Sequence, residues 1–187
     1  MAGRSFPMVG LALALVLSSD VRAEKWPPPK PRIFAQPNGN YAVKILPDTS
    51  EGVYFTLDER GEEKVMWRAK LVNIPLRVML VESAKGGKYV QYVITIDTWA
   101  RIGGEHCLVV YGEKGKVIAD FRLEDLLTAK EIESLATEGS GPHWSATDIT
   151  DFEDRSLQWD ELIIRMKHKG WTKVLRLSLS TGKLVKE

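Results

Sequence analysis

The sequence is poor in cysteine and histidine and lacks the common motifs of catalytic and nucleotide sites. Its 187 residues include one cysteine, Cys107, so the chain forms no internal disulfide and its stability has to come from packing. The three histidines, His106, His143 and His168, do not have metal-ligand spacing. G-x-S-x-G, P-loop and G-x-G-x-x-G motifs are absent. We therefore expect no metal and no organic cofactor.

Long hydrophobic runs are also missing. Residues 9–17 read VGLALALVL, follow Arg4 and precede SSDVRA, which ends at Ala23 like a signal-peptidase site. A spanning helix needs about 20 apolar residues, which disfavours an uncleaved anchor. The sequence predicts a signal peptide at residues 1–23 and an exported protein, periplasmic or extracellular, without further contact to the membrane.

Neither sign of charge is in excess. Without residues 1–23, the chain has 24 basic and 24 acidic residues, so nothing attracts nucleic acid or anionic lipid in general. About 164 residues remain, enough for one domain with one core. The segment EKWPPPKP (24–31) cannot form a helix because proline lacks a backbone donor. We expect a Pro-rich N-terminal spacer there and a single β-rich domain over residues 32–187.

Short alternating runs of β-branched and aromatic residues are abundant. Segments such as NYAVKIL (40–46), KYVQYVITID (88–97) and ELIIRMK (161–167) predict strands separated by turns with glycine. One helix is predicted near residues 123–138, in which Leu123 to Leu127 make a short turn before the capped part. Thr128 and Glu131 form a capping-box pattern at its start, and Gly139 provides an end. The composition therefore predicts a mainly β fold with one inserted α-helix.

The strand pattern repeats along the chain. NGNYAVKIL is similar to GGKYVQYVI further on, and the repeats predict three antiparallel four-stranded meanders near 32–71, 76–122 and 143–187. Such meanders resemble blades of a β-propeller. DERGEEKVMW (58–67) is loosely similar to the quinoprotein-type pattern of Asp, Gly and Trp, so the chain resembles secreted bacterial propeller-like repeat proteins. Three units are fewer than the four to eight of closed propellers, so no cofactor or catalytic residue is implied. The alternative is a β-sandwich or barrel-like fold.

The only cysteine is a poor candidate for catalysis. His106 and Cys107 are neighbours in a predicted strand, and neighbouring strand residues point to opposite faces. His106 is therefore badly placed to activate the thiol. We expect Cys107 to be a small buried side chain in the wall of the sheet.

The best site candidates lie in predicted loops. His143, Trp144 and Asp148 follow the helix, whereas Asp97 and Trp99 follow a predicted strand. An exposed tryptophan stacks on sugars or grips peptides, and a histidine with carboxylates moves protons. The leading hypothesis is a non-enzymatic binding module for a protein or glycan of the cell envelope. The alternatives are a secreted hydrolase-like enzyme using Asp97, His143 and Asp148, and a propeller fragment completed by a partner chain. Loop tryptophans that only cap the core are the structural alternative.

Overall fold

The fold is mainly β, with three four-stranded antiparallel sheets, a two-stranded ribbon and two short helices. This computed structural model describes residues 29–37, 39–85, 88–99, 104–135, 137–138, 141–142, 144, 150–154, 160–168 and 170–185. The predicted signal peptide and most of the predicted spacer lie outside these residues. Both therefore stay predictions.

Each sheet is a meander whose strands follow the order of the chain. The first sheet contains β1 (Arg32–Ala35), β2 (Tyr41–Leu46), β3 (Glu51–Leu57) and β4 (Glu63–Lys70). The second sheet contains β5 (Pro75–Lys85), β6 (Lys88–Thr98), β7 (Leu108–Tyr111) and β8 (Val117–Phe121). After helices α1 (Leu123–Leu126) and α2 (Ala129–Ser134), β9 (Thr137–Glu138) and β10 (Gly141–Pro142) form the ribbon. The third sheet contains β11 (Thr150–Asp154), β12 (Glu161–His168), β13 (Trp171–Ser178) and β14 (Leu184–Val185).

The three sheets coincide with the three meanders expected from the sequence repeats. In the described part of the chain the third sheet begins at Thr150, seven residues after the expected start at 143. Each sheet has two edge strands among the described residues, so no sheet closes into a barrel. The resemblance to propeller-like repeat proteins remains a prediction.

The second sheet packs between the other two. Successive strand residues point to opposite faces. Accordingly, Val93 of β6 packs in a cluster with residues of the first sheet, whereas its neighbours Tyr92 and Ile94 belong to the cluster formed with the third sheet. The cluster formed with the third sheet also contains Leu123 and Leu126 of α1 and Leu135, the residue that follows α2. Because both faces of the second sheet are covered, its strands β6 and β7 are the most deeply buried.

The helical region differs from the expected single helix near 123–138. Thr128 does cap α2, since its side chain accepts from the Glu131 backbone N–H, but the helix ends at Ser134. Leu135 has an extended backbone and is 4 % exposed in the core, and a strand follows at 137. A helix of six residues is only marginally stable by itself. Burial of the Leu135 side chain therefore decides where α2 ends, and the helix does not continue to Gly139.

The cap of α2 also ties the helix to the third sheet, and we expect a pH-dependent contribution to stability. Glu131 Oε2 accepts from Lys173 Nζ at 2.8 Å and from the Thr128 backbone N–H at 2.7 Å. Burial opposes ionisation, but these hydrogen bonds outweigh it and lower the pKa of Glu131. Such a group stabilises the fold above its unfolded pKa, and that stability is lost as the pH falls through the folded pKa.

Glu131→Gln should lower the free energy of unfolding by about 0.5–1.5 kcal/mol near pH 7, and the deficit should shrink as the pH falls. Urea denaturation over a pH series measures both. Glu133→Gln, at an exposed position of the same helix, is the matched control and should be close to wild type. A deficit that does not change with pH would contradict the ion pair.

Candidate binding clefts and the predicted site residues

Asp97 is buried inside the fold and does not face a pocket among the described residues. It is 0 % exposed and has φ +58°, a conformation that aspartate tolerates better than most residues. Its backbone N–H donates to the Cys107 carbonyl at 2.8 Å, and its carboxylate Oδ1 accepts from the Trp144 indole N–H at 2.6 Å. Asp97 therefore closes the end of the β6–β7 pair.

Asn73 completes this buried polar network, and its role was not among the predictions from the sequence. Its Nδ2 donates to the carbonyl of Asp97 at 3.3 Å and to that of His106 at 3.1 Å. Its Oδ1 accepts from Thr95 Oγ1 at 2.9 Å. Asn73 is 3 % exposed, so a buried amide satisfied on both sides links β6 to the loop before β7. The only sequence signal was a polar residue between two apolar strands.

Trp144 does not offer the exposed ring that the binding hypothesis assigned to it. The side chain is 1 % exposed, packs in the core and donates to Asp97. The role expected for Trp144 in stacking on a ligand is therefore wrong for this structure, because the indole is used inside the fold. His143 and Asp148 lie outside the described residues, so their convergence with Asp97 stays a prediction.

The single cysteine is a wall residue, as expected. Cys107 is free and 0 % exposed, and burial, aided by nearby carboxylates, raises the pKa of its thiol. The His106 ring turns away to Asp120, with 2.8 Å between Nδ1 and Oδ2. That pair is partly exposed and orients the histidine, but it does not reach the thiol.

We expect the Cys107 thiol to react with an aromatic disulfide reagent roughly a hundredfold or more slowly in the native protein than in urea. Reaction needs both access and a thiolate, and burial removes both until the fold opens. Because the chain has one cysteine, the absorbance change reports Cys107 alone. Equal rates in buffer and urea would contradict its burial.

An aromatic cleft lies between the first and second sheets, and we define it by Tyr41, Tyr54, Met66, Trp67 and Tyr89. Its volume is about 470 Å³. The rings of Tyr54 and Trp67 stack with centroids 5.4 Å apart, because these residues are directly opposite on β3 and β4. Tyr41 stacks on the Tyr54 ring with centroids 5.9 Å apart. Met66 is 51 % and Tyr89 71 % exposed, so they form the open rim.

A β-bulge accounts for the position of Met66. Tyr54 pairs with Trp67 and Phe55 pairs with Val65, so Met66 is the extra residue on β4. The second sheet has a bulge at the corresponding place, where Ile118 is the extra residue of β8. Each of these residues lines the cleft between its own sheet and the next one. Bulges re-aim side chains and are frequent beside functional sites.

The cleft lined by Ile118 lies between the second and third sheets, and we call it the second cleft. Its volume is about 650 Å³, and its lining residues include Ser180, in the turn between β13 and β14. It shares Val90, Glu113 and Lys114 with the aromatic cleft. The two clefts therefore adjoin at one end of the second sheet, where the residues that they share carry charges of both signs.

The polar side of the aromatic cleft is a short hydrogen-bonded chain. Tyr54 OH donates to Gln91 Oε1, and Gln91 Nε2 donates to Glu82 Oε1 at 3.3 Å. Burial raises the pKa of Tyr54, with smaller contributions from Tyr41 and Glu82, so the phenol keeps its proton. This chain orients the rings and gives the cleft hydrogen-bonding groups beside its apolar floor.

Trp99 is the predicted site residue that does line a cavity. It is half-buried, and its backbone N–H donates to the Ile74 carbonyl at 2.8 Å. It lines an apolar pocket between the first and second sheets, and the described lining residues of this pocket differ from those of the aromatic cleft. Among the described tryptophans, Trp144 is therefore a core residue, Trp171 packs against the core, and Trp67 and Trp99 line clefts.

Within the described ranges, no group of three or more His, Cys, Asp or Glu side chains is arranged to bind a metal ion. None of the described helices is long and apolar enough to cross a membrane. No protein-family model matches the chain, and neither a curated protein nor a solved structure is significantly similar to it.

Proposed function

We propose that this protein is a non-enzymatic binding module that takes an extended peptide segment of a protein partner into the aromatic cleft. The observation that carries the proposal is the stack of Tyr41, Tyr54 and Trp67 beneath the exposed rim of Met66 and Tyr89. Aromatic residues and methionine are enriched at protein interfaces, where tyrosine and tryptophan dominate the binding energy. The predicted export places the partner in the cell envelope or outside the cell, as part of the same proposal.

The ring geometry favours a peptide over a glycan. A sugar ring stacks on a free aromatic face, but the Tyr54 ring lies between the rings of Tyr41 and Trp67. Trp67 also has the glycine turn of Gly115 against its six-membered ring. The floor therefore presents mainly ring edges, which carry partial positive charge and attract carbonyl oxygens of a peptide.

The strand beside the cleft supports the same partner. β4 pairs with β3 alone among the described residues, so it is an edge strand of the first sheet. An extended peptide can add to such an edge by main-chain hydrogen bonds and place alternate side chains in adjoining pockets. Charged residues on β4, such as Lys64 and Arg68, restrict indiscriminate pairing of this edge.

A random peptide library selected on the wild-type protein tests this proposal. The selected peptides should bind about tenfold or more weakly to the double variant Met66→Ser/Tyr89→Ser, because two exposed contact residues are lost without disturbing the core. The matched control is Ile33→Ser/Leu57→Ser, which removes two exposed apolar side chains away from the cleft and should bind like wild type.

Two results would overturn the proposal. One is a set of selected peptides that bind the cleft variant and the wild type equally. The other is a glycan array in which the cleft variant loses binding while no peptide is selected, because this would make the same surface a sugar site.

A further inference from the structure

A separate pocket lies at the other end of the interface between the first and second sheets, around Trp99. We call it the Trp99 pocket. Its apolar walls are formed by Ile45, Pro47, Ile74, Pro75 and Trp99. Its volume is about 330 Å³, at the lower end of the range for small-ligand sites. The buried cluster that contains Val43 and Tyr54 separates it from the aromatic cleft.

The charges of the lining all have one sign. Lys30 and Arg32 are exposed, and they are the charged side chains among the described lining residues. Arg32 pairs with Ile45 across β1 and β2, so its side chain is on the face toward the second sheet, where Nη1 donates to the Leu76 carbonyl at 3.2 Å. The guanidinium is further held over the Phe34 ring at 4.9 Å. No ion pair formed by the described residues includes Lys30 or Arg32.

The chemistry of these described lining residues, apolar walls with Lys30 and Arg32 beside them, indicates which kind of ligand fits the pocket. The hydrocarbon part of a ligand gains by leaving water, and a carboxylate at its end gains charge-assisted hydrogen bonds from an arginine fork. A cationic ligand would meet two like charges, and a neutral one would gain only the apolar part. The walls come from two sheets that the packed core keeps in place, so the pocket is formed before the ligand binds.

We propose that the Trp99 pocket binds a small amphiphilic carboxylate, with the apolar group against Trp99 and the carboxylate at Lys30 and Arg32. This function is separate from peptide binding in the aromatic cleft. The two proposals therefore stand or fall independently.

Calorimetric titration of the purified protein with three ligands of equal chain length tests which head group the pocket prefers. Octanoate should bind about tenfold more tightly than 1-octanol, and octylammonium should bind most weakly. In Lys30→Gln/Arg32→Gln the preference for octanoate over 1-octanol should disappear while 1-octanol binding is kept. Lys64→Gln/Arg68→Gln, which removes the same charges from β4, is the matched control and should keep the preference.

A second experiment tests where octanoate binds on the protein. In a ¹⁵N–¹H correlation spectrum, octanoate should shift the Trp99 indole signal, assigned with Trp99→Phe, and leave the Trp67 indole signal in place. Met66→Ser/Tyr89→Ser should bind octanoate like wild type. Absence of octanoate binding to the wild type, equal binding of octanoate and 1-octanol, or a shift confined to Trp67 would each overturn the proposal. Because the three ligands are also compared on the wild-type protein, the proposal is tested even if a variant does not fold.

Discussion

Replacing Trp144 with alanine is expected to lower the free energy of unfolding by about 3–5 kcal/mol, because a buried aromatic side chain is removed from the core. Trp144 is 1 % exposed in the cluster between the second and third sheets. Its indole N–H donates to Asp97 Oδ1, so the variant also leaves a buried carboxylate oxygen without this donor. Urea denaturation of both proteins measures the difference.

Two further variants separate the contributions. Trp144→Phe keeps most of the ring but has no N–H, and should lower the free energy of unfolding by about 1–3 kcal/mol, the cost of removing one donor from a buried acceptor. Tyr89→Ala removes an aromatic residue that is 71 % exposed and should change stability by less than about 0.5 kcal/mol. If Trp144→Ala were as stable as wild type, the indole would have to lie outside the core and the ligand role expected from the sequence would return.

Gly115→Ala is expected to lower the free energy of unfolding by about 2–5 kcal/mol, the sum of a left-handed backbone and an overpacked contact. Gly115 has φ +70° in the turn between β7 and β8. A methyl group there would overlap Ala69 Cβ and lie 3.1 Å from Trp67 Cε3. Neither contact is the end of a flexible side chain, so the turn would have to move away from β4.

Gly61→Ala is the control that isolates the contact. Gly61 has φ +81° in the turn between β3 and β4, but a methyl group there meets nothing within 4 Å. Gly61→Ala should lower the free energy of unfolding by about 1–2 kcal/mol, the penalty of a left-handed backbone alone. Equal costs for the two alanines would contradict the close approach at Gly115. Because Glu113 and Lys114 belong to the same turn, Gly115→Ala should also weaken peptide binding in the aromatic cleft.

The strands could be predicted well because their signal is local. The alternation in 40–46, 88–97 and 161–167 places β-branched and aromatic residues on a pleated surface, and β2, β6 and β12 lie there. The expected end of the helix near 138 was wrong, because an apolar residue at 135 fits a helical stripe and a strand-like core position equally well. Only burial of Leu135 in the core decides between them.

The site residues were harder to predict because exposure depends on residues far away in the chain. Trp99 and Trp144 look alike in sequence, but one borders a pocket and the other donates to Asp97 across 47 positions. Trp67 packs against the buried cluster between the first and second sheets, and it also forms the floor of the aromatic cleft. The bulge at Met66 depends on how β4 pairs with β3, which no local pattern specifies.

The sequence by itself determined the β-rich class, the three meanders, the cap at Thr128 and the inert position of Cys107, since period-two alternation and turn chemistry act over a few residues. Only the tertiary structure decided which faces meet. Stacking the second sheet between the other two buries Asp97 and Trp144 and leaves clefts at Tyr89 and Trp99. Those outcomes depend on the register and spacing of whole sheets, because a side chain is buried or exposed only in relation to the surface packed against it.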